Sequence, residues 1–249
     1  MAMSPRLLRP RQTGRYAALR VGLVAYWPMN ETATSGDVTV EDWTKRGNNL
    51  TSNNTVPSVA GIQGNGREFT AANSEYLAAA GANNDLKFAD GRDWTLTGWV
   101  WIPTWTANRY LIANDSSGNR EILITTAVQN GNNLAAQLSP GGSVGVSTAA
   151  FAGINLATSA WHFFAFFYKH STGVLDGRVN NSSTSLPGTR TGSPLLQSTQ
   201  PLNLGRRQFT GANDYFGGRL DEVAKWDRVL TATELTTLYN SGAGIDLRQ

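Results

Sequence analysis

Residues 218–242 read GRLDEVAKWDRVLTATELTTLYNSG. The first nine, Gly218–Trp226, have the length and apolar content of a long strand. After Asp227–Leu230 the pattern changes. Thr231 is followed three places later by Glu234, a capping box in which each side chain satisfies the other residue's backbone N–H. Leu235, Leu238 and Tyr239 then recur at helical spacing, and Gly242 supplies a stop. The spacing predicts about three turns of helix packed on a β body.

Upstream, residues 94–103 read WTLTGWVWIP. Alternation points Leu96, Gly98, Val100 and Ile102 one way, and Thr95, Thr97, Trp99 and Trp101 the other. Residues 161–168, WHFFAFFY, are apolar on both faces. Such a strand is covered on both sides, or one face lines a groove or contact surface. Further strands are expected at 22–27, 67–70, 76–79, 109–113, 121–126, 134–138, 144–148, 173–180 and 202–206, with Gly131, Gly141 and Gly142 in turns. The polar stretch from Asn30 to Asn54 reads as long loops. The expected fold class is therefore all-β, antiparallel, with one short C-terminal helix.

The chain has 249 residues, enough for one large β domain without disulfide staples. It contains 26 glycines, 8 tryptophans and no cysteine, which excludes disulfide frameworks and thiolate metal sites. The net charge is +3, yet residues 1–20 carry five arginines and no acid, so the other 229 residues sum to −2. The basic character belongs to an N-terminal arm. Pro5 and Pro10 prevent a continuous helix there. The expected organisation is an arm over 1–20 and a β body over 21–249. The apolar run Val21–Trp27 is too short to span a membrane, and no signal-type segment precedes it, so a soluble protein made in the cytoplasm is expected.

Four ordered segments resemble the laminin G-like branch of the concanavalin A-like superfamily: GLVAYWPMNE (22–31), QGNGREFTAANSEYL (63–77), WTLTGWVWIP (94–103), and the LNLGRR and FGGRLDEVAKWDRVLTATELTTLY parts of 202–239. The resemblance implies two facing sheets in jelly-roll order with a groove across the concave one. It leaves the arm uncovered.

Relatives of this fold include glycoside hydrolases, whose chemistry needs two carboxyl groups flanking the scissile bond. No strand here carries acids at i and i+2, and the adjacent Asp221 and Glu222 are expected on opposite faces. The two histidines, His162 and His170, read as packed and solvent-exposed respectively. A non-enzymatic protein is expected, with an unusual glycoside hydrolase as a distant alternative.

Many laminin G-like domains hold calcium through carboxylate, amide and carbonyl oxygens. Glu31, Asp37, Glu41, Asp42, Asn48 and Asn49 follow the first strand. The resemblance puts Asp42 near the family's metal loop, and Asp221 is the second candidate ligand. No cofactor is required on this reading. The alternative is that these acids cap turns or pair with Arg219 and Lys45. For sugar stacking, Trp43, Trp105, Tyr110 and Tyr215 lie in or near expected loops.

The arm segment SPRLLRPRQTGRY (4–16) resembles virion proteins of tailed bacteriophages, in which such an arm anchors an outward-facing lectin-like domain. Arg6, Arg9, Arg11 and Arg15 would then contact carboxylates and carbonyls of capsid or tail subunits. This implies a decoration protein on a virion surface, oligomeric on the particle and able to touch cell-surface glycans. A free carbohydrate-binding lectin is the main rival. Nucleic acid is disfavoured as the arm's partner, since Tyr16 is its one aromatic.

Overall fold

The computed structural model describes residues 14–32, 36–81, 84–88, 91–116, 119–127, 131–138, 147–150, 155–182, 188–189, 198–209 and 212–249. Its strands are β1 (Leu23–Trp27), β2 (Thr39–Val40), β3 (Leu50–Asn53), β4 (Ser58–Ala60), β5 (Asn65–Phe69), β6 (Tyr76–Ala79), β7 (Trp94–Trp101), β8 (Tyr110–Ser116) and β9 (Asn119–Ala127). They continue as β10 (Asn133–Leu138), β11 (Ser147–Ala150), β12 (Trp161–Lys169), β13 (Val174–Val179), β14 (Gly188–Thr189), β15 (Asn203–Leu204), β16 (Arg206–Phe209), β17 (Ala212–Tyr215) and β18 (Gly218–Trp226). One helix, α1 (Ala232–Tyr239), follows.

The first sheet runs β14-β13-β12-β7-β18-β5-β4, with β1 paired to β18. The second runs β11-β10-β9-β8-β15-β6-β3-β2, and β16–β17 form a separate hairpin. Among the described strands every pairing between neighbours is antiparallel. This is the expected two-sheet sandwich.

Alternation in β7 sorts as the sequence predicts. Leu96, Val100 and Ile102 enter the large core, whereas Trp99 enters a second apolar cluster. The doubly apolar strand β12 belongs to both. Phe164, Phe166 and Tyr168 face the large core, and Phe163 and Ala165 the second cluster. That second cluster includes Leu235 and Leu238 of α1 and Ile245 and Leu247 beyond it. Helix and C-terminal segment thus cover this sheet's outer face, and β12 is buried rather than groove-lining.

The capping box at Thr231 and Glu234 forms as read. The helix is eight residues, two turns rather than three, because Asn240 adopts a left-handed φ of 46° and ends it before Gly242. The expected loop region 30–54 contains β2 and β3. Val40 and Leu50, both fully buried, pin these strands to the sheet edge. Single apolar residues in a polar stretch give no periodic signal. Gly205, with φ +88°, is required where it stands, since a Cβ there would lie 2.4 Å from the Phe69 ring. The turn glycines Gly141 and Gly142 lie outside the described residues.

Residues 17–20 form a 3-10 turn that the charge pattern assigned to the arm. Leu19 is buried in the second cluster, and its carbonyl accepts the Trp226 indole N–H at 2.7 Å. Arg20 donates to the Leu247 carbonyl at 2.7 Å, and Arg228 to the Val21 carbonyl at 2.7 Å. The root of the arm is therefore part of the body. No described helix is long and apolar enough to cross a membrane.

Candidate functional site

At Pro28 the chain leaves β1 and turns through Met29, whose φ is +54°. Two anchors hold the next residues. The Asn30 amide oxygen accepts from Asn65 N at 2.9 Å. Arg67, fully buried, donates to the Glu31 carbonyl at 2.7 Å and carboxylate at 3.0 Å. Opposite them, the loop after β2 is folded around the Asp42 carboxylate. That carboxylate accepts from Tyr26 N (3.2 Å), Thr44 N (3.0 Å), Asn48 N (3.3 Å) and the Thr44 hydroxyl (2.7 Å). Trp43 N donates to the Tyr26 carbonyl at 2.9 Å.

Between these parts lies a cleft of about 250 Å³ lined by Pro28, Asn30, Glu31, Glu41, Trp43, Lys45 and Arg248. Trp43 meets Tyr26 edge-on at 6.2 Å, and the Arg20 guanidinium lies 5.1 Å from its ring centroid. Glu41 and Lys45 pair at 2.7 Å in solvent, an arrangement of little stabilising value that leaves both able to turn to a ligand. Arg248 is held by a fork to Asp246, at 2.8 and 2.6 Å. An indole beside two acids and two cations can stack the apolar face of a sugar ring and hydrogen-bond its hydroxyls.

The remaining sequence candidates separate clearly. Trp105 packs against the large core. Tyr110 is buried beneath Arg207, and Tyr215 tilts against Tyr76 at 6.3 Å. His162 is buried, with Nε2 2.9 Å from the Ala157 carbonyl, and burial lowers its pKa; His170 is exposed. Arg6, Arg9 and Arg11 lie outside the described residues, while Arg15 is exposed beside Tyr16.

Asp42 and Asp221 sit apart from any metal-like cluster. Among the described residues no three His, Cys, Asp or Glu gather to hold an ion. Both carboxylates are spent on N–H and O–H donors. Asp221 accepts from Ile62 N (2.8 Å), Gln63 N (3.1 Å) and Glu222 N (2.8 Å). Donors aimed at every carboxylate oxygen suit a turn cap.

Sequence alternation placed Asp221 and Glu222 on opposite faces, but a bulge intervenes. The β18 register shifts between Asp221 and Ala224, and Glu222 takes φ +50°. Both carboxyls therefore lie on the outer side, Asp221 beneath the Ile62–Gln63 turn and Glu222 beneath the C-terminal segment. The Tyr26 hydroxyl donates to Glu222 and accepts from Leu247 N at 3.1 Å. Glu222 lines a cavity of about 10 Å³, room for one water, and its Oε1 has no partner. Burial, then the Asp221 charge, pushes the Glu222 carboxyl up to about 9, and burial pushes Asp221 up to about 7.

The ordinary glutamate value is 4.5, so between that and about 9 the folded chain keeps a proton the unfolded chain releases. Stability contributed by this group is full below 4.5 and is lost as pH rises toward 9. Glu222→Gln is expected to be at least about 1 kcal/mol more stable than the parent at alkaline pH and equal to it in acid. Thermal melts across that range test this; parallel stability curves would show an ionised Glu222 in the fold.

The sequence comparison agrees with this architecture. Residues 76–236 match the laminin G-type family model of the concanavalin A-like lectin/glucanases superfamily. No curated protein matches the sequence. Among solved structures, the binding domain of Paraclostridial Mosquitocidal Protein 1 is similar at 14% identity and TM-score 0.71, over 90% of this chain and 53% of that one. Domain 4 of AbnA, a GH43 extracellular arabinanase from Geobacillus stearothermophilus solved with arabinotriose, is similar at 15% identity and TM-score 0.62, over 90% and 98%. A botulinum neurotoxin type C structure, described through cell entry dependent on two ganglioside molecules, is similar at 10% identity and TM-score 0.68, over 91% and 53%. The chain thus spans about half the length of the toxin chains. At such identities these neighbours show the fold alone. With the family model matched over well more than half its length, the chain belongs to the laminin G-type family of the concanavalin A-like lectin/glucanases superfamily.

Proposed function

We propose that this domain is a non-catalytic saccharide-recognition module, tethered by its N-terminal arm to a larger assembly. The observation that carries the reading is the Trp43 cleft, which joins an indole wall to Glu31, Glu41, Lys45 and Arg248. The arabinotriose bound to the AbnA domain and the gangliosides on which entry of the type C neurotoxin depends support saccharide as the ligand class. The sealing of Asp221 and Glu222 argues against their use as a hydrolytic pair. For the tether, the observation is the concentration of charge in residues 1–20 ahead of a root fixed to the body. Capsid or tail subunits of a virion are the partners that the arm's sequence suggests, with several copies on one particle surface.

The experiment is a glycan array followed by calorimetry on hits, with the intact protein and Trp43→Ala, each with calcium and with chelator. Trp43→Ala is expected to weaken neutral-saccharide binding by about 2 kcal/mol, roughly 30-fold, with the fold retained. Chelator is expected to change nothing. Full affinity in Trp43→Ala, or turnover on a polysaccharide panel, defeats the reading. The tether is tested by deleting residues 2–13, which spares the packed root; retention on the particle would defeat it.

A further inference from the structure

The hairpin β16–β17 stands on the outer face of the second sheet, away from the Trp43 cleft. Its two arginines have opposite fates. Arg207 turns down into the protein, pairs with Asp115 and donates to the Tyr110 hydroxyl at 3.2 Å. Arg206, one residue earlier, emerges on the other face and meets no carboxylate. Its guanidinium carbon lies 3.5 Å from the Tyr76 ring centroid. Nε donates to the Asn203 amide oxygen at 3.1 Å, and Nη2 to the Gln208 amide oxygen at 3.0 Å. Among the described residues Nη1 has no partner. Tyr215, the cross-strand neighbour of Arg206, lies 6.3 Å from Tyr76 with its ring tilted by 41°.

Arg67, Arg207, Arg219, Arg228 and Arg248 each face a carboxylate. Arg178, buried, meets neutral acceptors, but these engage all three of its guanidinium nitrogens. Arg206 is partly desolvated yet held by three neutral groups. Those contacts fix the guanidinium plane in advance, so an incoming anion need not order the side chain. A planar fork matches a carboxylate or a sulfate in a way a lysine does not. The adjacent Tyr215 ring offers a surface to whatever carries that anion.

We propose that Arg206, Tyr76 and Tyr215 form a second site that recognises the carboxylate or sulfate of an acidic saccharide. Arg206 takes the anionic group and Tyr215 takes the sugar ring. The saccharide half of this assignment rests on the reading given under Proposed function; the anion half rests on the uncompensated guanidinium.

The test is calorimetry on the full chain with three probes: a sulfated uronate-containing disaccharide, its unsulfated counterpart lacking the carboxylate, and inorganic sulfate. The sulfated disaccharide is expected to bind at least tenfold more tightly than the neutral one. That preference should vanish in Arg206→Ala, shrink in Arg206→Lys, weaken with added salt, and persist in Trp43→Ala. Tyr215→Ala should weaken the sulfated disaccharide while sparing inorganic sulfate. Equal affinity for charged and neutral probes, or a preference that survives Arg206→Ala, overturns the site. Sulfate binding as tight as that of the sulfated disaccharide overturns its saccharide half. If Arg206→Ala lowers the Tm, the Arg206→Lys comparison decides. Loss of neutral binding in Trp43→Ala alone would leave this site untouched, so the two readings can fail separately.

Discussion

Trp226→Ala is expected to destabilise the fold by about 4 kcal/mol, a fall in Tm of roughly 8–16 °C. Trp226 is fully buried at the end of β18, between Leu23 of β1 and Thr95 of β7. Truncation opens a large cavity in the second cluster and strips the Leu19 carbonyl of its indole donor. The root of the arm should loosen with it, exposing the peptide bonds after Arg15 and Arg20 to trypsin. Trp226→Phe separates the two effects, because it restores most of the packing and leaves only the lost hydrogen bond, worth about 1 kcal/mol. Chemical denaturation and limited proteolysis read both. A tryptic pattern unchanged in Trp226→Ala would mean that the root is held by Arg20 and Arg228 instead.

Asp42→Ala is expected to cost about 3 kcal/mol, or roughly 6–12 °C in Tm, and to abolish saccharide binding in the Trp43 cleft. The carboxylate is fully buried and serves three backbone donors and the Thr44 hydroxyl. Removing it leaves those donors buried and unpaired. The loop that presents Trp43 and Lys45 then loses its centre. Asp42→Asn should cost less, because one amide oxygen still accepts. The same experiment addresses metal. If Asp42 acts as a turn cap, chelator leaves the parent's melting curve unchanged; a drop of several degrees on chelation would show that it holds a cation instead.

The strands were legible wherever alternation or unbroken apolar runs occurred. β6 and β18 fall on their sequence limits, and β7 and β12 within a residue of theirs. The capping box located α1 because capping is a local hydrogen-bond exchange. β2, β3 and β4 were not legible, since each is short and places at most two apolar residues within a polar stretch. At the site, Trp43 and Asp42 were among the sequence candidates, but their roles were not readable. Four loop aromatics looked alike until the fold put one against a cleft, one in the core, one beneath Arg207 and one beside Tyr76. Arg248 came into the cleft from the opposite end of the chain, a meeting no local pattern announces. Glu222 was misplaced because strict alternation fails where a bulge inserts a left-handed residue.

Features that depend on neighbours a few residues away were readable along the chain: strand alternation, the helix start and the gathering of positive charge ahead of Val21. Those follow from backbone periodicity and local hydrogen bonding. The tertiary structure alone decided which faces are covered, where the arm ends and the body begins, and which polar groups lack a partner. Leu19 becomes core only because Trp226, more than two hundred residues later, reaches its carbonyl. Arg206 and Arg207 are chemically identical neighbours, yet one meets Asp115 and the other meets only neutral groups. Burial and charge pairing are properties of distances across the fold, and the order of residues along the chain does not contain those distances until the sheets close on one another.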